Sequence, residues 1–336
     1  MHYSPVSWIL QQANTPCFMK IAFLYEHPEW SKALLEAFSG CGIELVPVNV
    51  ADLVFDTSSR PRFDAAINRI NIMPSAETDP RVVFQVMHYL NWLEISGTRV
   101  INGAMSHSIG SSKVMQNGVF ASLGLRHPKG IAIYRPADAP DAARKIGYPV
   151  IVKPNIGGSG SGVALFETEK DLEQAVANRS LDLGIDRSGL VQQYIQSDGY
   201  VYRIEMLGDQ LFYSIRQKIQ EGTFNYCAAD GCSTAGEEST QDNQVETDDF
   251  DFCVIDGGNR INVFDPPGPV IDTVNSIVRR CQADLGGVEY FIEASTGEPV
   301  YYDFNPYSNF VSNGSELLGF IPENRYIEYV MGCLAD

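Results

Sequence analysis

Two lysines, a glycine–serine loop and a late set of acids are the residues of this chain whose types and spacing can do chemistry. Lys153 follows the β-branched run Val150-Ile151-Val152 and stands shortly before Gly157, Gly158, Ser159, Gly160, Ser161 and Gly162. Glycines let backbone N–H groups turn inward as a nest for an anion, and serine hydroxyls add donors. A lysine ahead of such a loop is a device for holding phosphates; a flexible surface turn remains open for the glycines alone. No Gly-Lys-Ser/Thr closes the loop, so it is not a P-loop, and no GxGxxG turn opens a helix. Lys113 falls in the first turn of a helix expected over 111–123, where the helix dipole favours acids. It is either a solvated lysine or one with a use. Near the C-terminus, Glu289 lies in one strand-like run, and Asp303 and Asn305 close the next. Antiparallel pairing of these runs would gather three hard oxygen ligands of the kind Mg²⁺ takes alongside substrate phosphates. Two acids at exposed strand ends are the alternative.

These residues need elements to hold them. Lys20 to Tyr25, Ile43 to Val48 and Phe63 to Ile67 read as strands around a helix at Ser31 to Phe38. That alternation predicts a small parallel α/β lobe with ligand-facing loops at its strand ends. Arg69 stands at such an end, as a substrate-anion contact or a surface salt bridge. A helix over 80–95 and a strand over 99–102 complete the lobe. Helix 138–146 leads into the strand before Lys153, and Leu172 to Ala177 is helical. Leu190 to Ile195 is a buried strand containing Gln193 and Tyr194. Tyr200 to Leu207 and Gln210 to Ile215 form a hairpin about Gly208-Asp209. Arg203, Glu205, Arg216 and Lys218 lie in or just beyond it and must be solvated or used. Asp272 to Ala283 is a helix; strands over 287–292 and 299–304 follow.

Composition bounds the rest. The 336 residues allow two or three packed lobes, and 44% hydrophobic with 20% charged residues is ordinary for a globular protein. A formal net charge of −18 argues against nucleic-acid or anionic-membrane binding. No apolar run approaches the roughly 20 residues of a membrane span, and residues 1–18 lack signal-peptide features. The seven cysteines are scattered and fit no zinc spacing, as expected of free thiols in a cytoplasmic protein. Residues 222–262 hold Glu237, Glu238, Asp242, Glu246, Asp248, Asp249 and Asp251, a mobile acidic loop in this reading and a candidate lid.

Two distant lysines, the glycine–serine loop, a hydrophobic hinge strand and a terminal acid, acid-x-Asn set resemble, in that order, the ATP-grasp superfamily. The carboxylate–amine ligases of the ribosomal-protein glutamate-ligase and glutathione-synthetase type are the similar branch, over about Lys20 to Val330. The resemblance implies an α/β and α+β fold of three lobes, an N-terminal parallel α/β lobe and two α+β lobes gripping ATP. Their expected bounds are an unstructured extension at 1–18, then 19–105, 106–188, and 189–336 with the acidic insertion near 228–262. By the resemblance, Lys113 and Lys153 hold phosphates, and Gly157 to Gly162, Ser159 and Ser161 included, close over them. Gln193, Tyr194 and Ile195 read adenine, although the family usually has glutamate in place of Gln193. The usual ribose-holding acid before Arg203 is here Val201, with Glu205 and Asp198 as substitutes. Arg203 and Arg216 match basic positions facing phosphate or acyl phosphate. Glu289, Asp303 and Asn305 match the metal ligands, with the two acid types exchanged. Phe63 to Arg69 resembles the ligases' first-lobe segment, which makes Arg69 a substrate residue.

The expected activity is ATP-dependent: a carboxylate becomes an acyl phosphate and is joined to an amine, with ADP and phosphate released. ATP and Mg²⁺ are the expected cofactors, as two ions for which Mn²⁺ can substitute. The partners are small carboxylate and amine substrates, with no nucleic acid or membrane, and a homo-oligomer is left open. The alternative is an ATP-grasp kinase acting on a small hydroxylated substrate. Asn305-Pro306-Tyr307 departs from the small-Ser-Pro-Gly turn usual in the ligase branch, which leaves the acceptor open.

Overall fold

The computed structural model describes residues 19–39, 41–72, 78–158, 160–219, 261–307, 310–311 and 314–335. The expected extension at 1–18, Ser159 and the acidic stretch up to residue 260 lie outside the described residues.

The first lobe runs β1 (Lys20–Tyr25), α1 (Pro28–Ala37), β2 (Glu44–Asn49), β3 (Ala65–Asn68), α2 (Val82–Ile95) and β4 (Arg99–Ile101). Its sheet has the order β2-β1-β3-β4, with every pair parallel. Ile21 to Leu24 are fully buried, because a central parallel strand is covered on both faces. Next come α3 (Ala104–Ser111), α4 (Lys113–Ser122), β5 (Gly130–Ile133), α5 (Ala139–Ile146), β6 (Val150–Pro154), β7 (Ala164–Phe166), α6 (Glu169–Ala177) and β8 (Gly189–Gln193). The four strands make an antiparallel sheet, β5-β8-β6-β7. The last lobe holds β9 (Tyr200–Leu207), β10 (Gln210–Lys218), β11 (Ile261–Val263), α7 (Gly268–Arg280), β12 (Leu285–Ile292), β13 (Pro299–Asn305), α8 (Gly314–Leu318) and α9 (Pro322–Ala335). Its antiparallel sheet has the order β11-β10-β9-β12-β13.

Three differences from expectation bear on the site. The single helix expected over 111–123 is two helices broken at Ser112, which is extended (φ −122°, ψ 111°). Its hydroxyl caps α4 by accepting from Met115 N at 3.2 Å. Second, β8 lies beyond the expected 188/189 boundary in the chain and pairs within the central sheet. Third, β5 forms in a stretch for which no strand was expected, because β8 supplies its partner.

The two antiparallel sheets each pack a face under helices. Val150, Val152 and Val191 pack with Ala142, Ala143 and Leu172 of α5 and α6. Ile204, Val288 and Phe304 pack with Val274, Ile277 and Val278 of α7 and with Phe120 of α4. The first lobe is tied to the last through buried Asn102, just after β4, whose φ of 57° is tolerated by asparagine. Its side-chain oxygen accepts from Asp284 N (2.8 Å) and Leu285 N (2.9 Å), and its amide donates to Leu285 O (2.9 Å) and Pro306 O. Such a satisfied network fixes one lobe against the other.

Candidate active site

Register builds the charged face of the last sheet. Glu289 is paired with Arg203 on one side and Asp303 on the other, so these three side chains share one rung. The neighbouring rung on that face is Glu205, Gly287 and Asn305. Gly287 is required there: a Cβ at this position would meet Glu205 Oε1 at 2.5 Å. Arg203 donates from Nε to Glu205 Oε1 at 2.6 Å and from Nη1 to Glu289 Oε1 at 3.4 Å. The Tyr302 hydroxyl donates to Glu289 Oε2. Burial alone would lower the basicity of Arg203, but Glu205 and Glu289 outweigh it and raise it. Burial raises the Glu289 carboxyl despite Arg203 beside it. Burial would also raise Asp303, but the charge and hydrogen bond of Lys113, with Lys153 and Arg203 behind, hold it below its ordinary range.

The two lysines arrive from the other lobe. Lys113, the first residue of α4, pairs through Nζ with Asp303 Oδ1. Lys153 lies inside β6 rather than past its end and is 9% exposed. Its register partner is Leu190, and that of Ile151 is Gln192, so Lys153 and Gln192 share the sheet face turned away from α5 and α6. Burial, aided by the charge of Lys113, pulls the Lys153 ammonium from 10.5 down to about 8. Gln116 of α4 is a second tie: its Nε2 donates to Phe304 O at 2.9 Å and its Oε1 accepts from Phe304 N at 3.3 Å. It thereby docks α4 on the backbone between Asp303 and Asn305.

Sequence reasoning missed Gln116 and Gln192. Gln192 is 3% exposed, and its Nε2 has no hydrogen-bond partner among the described residues. Its signal was an amide inside a largely apolar, buried strand. Gln116 gave no local signal, since its partner is backbone far along the chain.

The glycine loop lies beside Lys153. Gly160 and Gly162 have φ of +73° and +70°, and a Cβ at Gly162 would strike Pro154 Cγ at 2.7 Å. Ser161 N donates to Gly158 O (3.0 Å) and Val163 N to Gly160 O (3.2 Å). These two amides close turns within the loop, so the nest expected of Gly157, Gly158, Gly160, Ser161 and Gly162 is narrower than the full run. In the hinge, Gln193 N donates to Lys129 O at 2.8 Å, Tyr194 N to Pro149 O at 3.3 Å, and Ile195 is buried.

Two expected residues are not brought into the cluster. Arg216 is paired with Tyr202 and Arg203 with Ile215, so the two arginines point to opposite faces of the hairpin. Arg216 lies over the Tyr200 ring at 5.0 Å, on the face opposite to Arg203. Arg69 stacks between Phe310 (5.2 Å) and Tyr326 (5.3 Å), holding the end of β3 against α9. Of the ribose substitutes, Glu205 is taken by Arg203, and Asp198 accepts from the Tyr202 hydroxyl (2.7 Å) and Tyr200 N (3.1 Å).

Glu289, Asp303 and Asn305 offer hard oxygens on one face, and Asp303 already faces a cation in Lys113. This donor set fits Mg²⁺, which needs only one or two carboxylates beside phosphate oxygens. Asn305 Oδ1 also accepts from Tyr307 N at 2.9 Å, which fixes its orientation.

Residues 110–246 match the family model of the RimK-like ATP-grasp domain. A protein of Shewanella sp. (strain MR-4) named "Probable alpha-L-glutamate ligase 2" is 26% identical over 221 residues, 61% of this chain and 70% of that protein. Among solved structures, the RimK domain ATP-grasp protein of Sphaerobacter thermophilus is 20% identical, with a TM-score of 0.62 over 93% of this chain and 99% of that one. The VanG D-Ala:D-Ser ligase of Enterococcus faecalis is 14% identical, with a TM-score of 0.65 over 94% and 99%.

Proposed function

From a chain that has the ATP-grasp fold and carries a RimK-like ATP-grasp domain, we infer an ATP-dependent ligase that joins a carboxylate to an amine. The observation that carries this reading is the convergence of Lys113 and Lys153 from the central lobe on the Arg203–Glu289–Asp303 rung of the last lobe. Cations from one lobe and hard anions from the other are what a triphosphate with its metal requires.

Lys153 and Lys113 are assigned to the phosphates of ATP, with the loop at 157–158 and 160–162 covering them. Gln193, Tyr194 and Ile195 are assigned to the adenine. Glu289, Asp303 and Asn305 are the residues that would hold Mg²⁺, as two ions, with Mn²⁺ an acceptable substitute. The metal, when bound, neutralises phosphate charge. Arg203, kept charged by its two carboxylates, is assigned to stabilise the oxyanion as the amine attacks the acyl phosphate. Lys113 has three N–H donors and uses one on Asp303, so it can meet a phosphate oxygen of ATP while it holds that carboxylate. Burial of the cluster limits water, which would otherwise hydrolyse the acyl phosphate. Arg69, already stacked between two rings, is assigned to orient the substrate-facing end of β3. Small carboxylates and amines are the substrate class, and glutamate is the first to try because the Shewanella relative is named for it.

A screen of amino acids and small carboxylic acids with ATP and Mg²⁺, read as phosphate release, tests the reading. A ligase releases ADP and free phosphate only when both substrates are present. Phosphate retained on a hydroxylated product, with no amine requirement, would make the protein a kinase instead. Among the described residues no helix is long and apolar enough to cross a membrane.

A further inference from the structure

The placement of Lys113 presents a physical difficulty, since a lysine at the first position of a helix meets the positive end of the dipole. Asn155, 9% exposed and two residues beyond Lys153, resolves it. Its carbonyl accepts from Lys113 N at 3.1 Å, and its side-chain Oδ1 accepts from Val114 N at 3.1 Å and from Ser112 Oγ at 2.8 Å. With Met115 N on Ser112 Oγ, the amides of the first three helical residues are thus all satisfied locally. The Asn155 amide donates in turn to Asp186 Oδ2 at 2.9 Å, and its backbone N to Ser188 O at 2.9 Å. Asp186 is itself oriented by Ser188, which donates to it from both N and Oγ.

We propose that Asn155 is a positioning residue that sets the spacing of Lys113 and Lys153. One residue bonds the start of the helix that carries the first lysine and continues the strand that carries the second. The two ammonium groups therefore keep a fixed separation while α4 remains seated on Phe304 through Gln116. The proposal rests on the reading of both lysines as phosphate ligands, and it adds the residue that makes them act as a pair.

The test is calorimetric titration of ATP, with Mg²⁺ present, into the full-length protein and its variants, with melting temperatures recorded in parallel. Lys113→Ala and Lys153→Ala should each weaken binding. Asn155→Ala should weaken it about tenfold, as expected for loss of buried hydrogen bonds. Added to Lys113→Ala, it should cost little more, because it acts through that lysine. Asn155→Asp alone sets two carboxylates against each other and should also weaken binding. Asn155→Asp combined with Asp186→Asn restores one donor facing one acceptor and keeps Oδ1 for Ser112 and Val114, so affinity should return. Wild-type affinity in a folded Asn155→Ala variant, with both lysine variants impaired, overturns the proposal alone. So does a combined exchange that recovers the melting temperature without recovering affinity, since the role would then be merely structural. A wild type that does not bind ATP, or lysine variants that bind it normally, removes the underlying reading and the proposal with it. Should Asn155→Ala not fold, the exchange pair decides by the same two readouts.

Discussion

The two faces of the last sheet are made by the same strands and could hardly differ more. One carries Arg203 and Glu205, both buried, with Glu289 and Asp303, both half-buried, and each carboxylate is paired with a cation. The other carries Tyr202 stacked on Tyr290 at 5.2 Å, with Tyr301 beside it and Arg216 over Tyr200 at 5.0 Å. On the aromatic face Arg216 lies over a tyrosine ring at the edge of an apolar core. On the charged face each carboxylate has a cationic neighbour, and burial makes every pairing strong and every loss costly. The comparison teaches that alternation alone sorts one strand into a chemical face and a structural face. Basic residues of one hairpin are not interchangeable.

Substitutions on the charged face should therefore act on turnover, and on stability where they leave a buried charge unpaired, while those on the aromatic face should act on stability alone. The largest effect is expected from Asp303→Asn, which removes the carboxylate that pairs with Lys113 and that we assign to the metal. ATP turnover should fall by about 10²-fold or more, with the Mg²⁺ requirement moved to higher concentration in a metal titration. Full activity at low Mg²⁺ would put the metal elsewhere. Glu289→Gln should follow with a smaller loss, since Asp303 and Asn305 remain and Arg203 keeps Glu205; steady-state kinetics beside Asp303→Asn would reveal the order.

Lys153 sharpens the contrast through pH. With its ammonium lowered to about 8, kcat/KM for ATP should fall as pH rises through about 8. Stability should move the other way. Between about 8 and the ordinary 10.5 the unfolded chain holds a proton that the folded one has released, so folding gains with pH. Relative to Lys153→Met, which has no charge to lose, the wild type should gain stability over that window in denaturant titrations. A flat difference would contradict the shift.

The smallest effect is expected from Arg216→Leu. Loss of its contact with Tyr200 should lower stability by about 1 kcal/mol or less, leaving kcat and KM near wild type. A hundredfold loss of turnover would return Arg216 to the site and break the distinction between the faces.

Much was legible from the chain alone, because it is written in local patterns. The run IAFLY between polar ends can only be a buried strand, and its bounds at Lys20 and Tyr25 are those observed. The parallel first lobe follows from strands alternating with helices, and the hairpin about Gly208-Asp209 from two alternating runs. The Glu289, Asp303 and Asn305 set was visible as acids and an amide two residues apart at strand ends. The sequence also marked Lys153, since a charge beside a β-branched run demands a use.

Tertiary structure alone decided which of these residues meet. Lys113 pairs with Asp303 across nearly two hundred positions, a contact that no local period encodes. Arg203 and Arg216 looked equivalent until register, which depends on the length of the turn and on an irregularity between Leu211 and Tyr213, put them on opposite faces. Asn155 and Gln116 were ordinary amides in sequence. Their roles come from backbone and side-chain groups brought to them by other segments, and the cost of burying an amide without partners is what makes those contacts specific. Residue types thus determined the kind of chemistry available to this chain, while long-range pairing, through register and burial, decided which copies of those types can perform it.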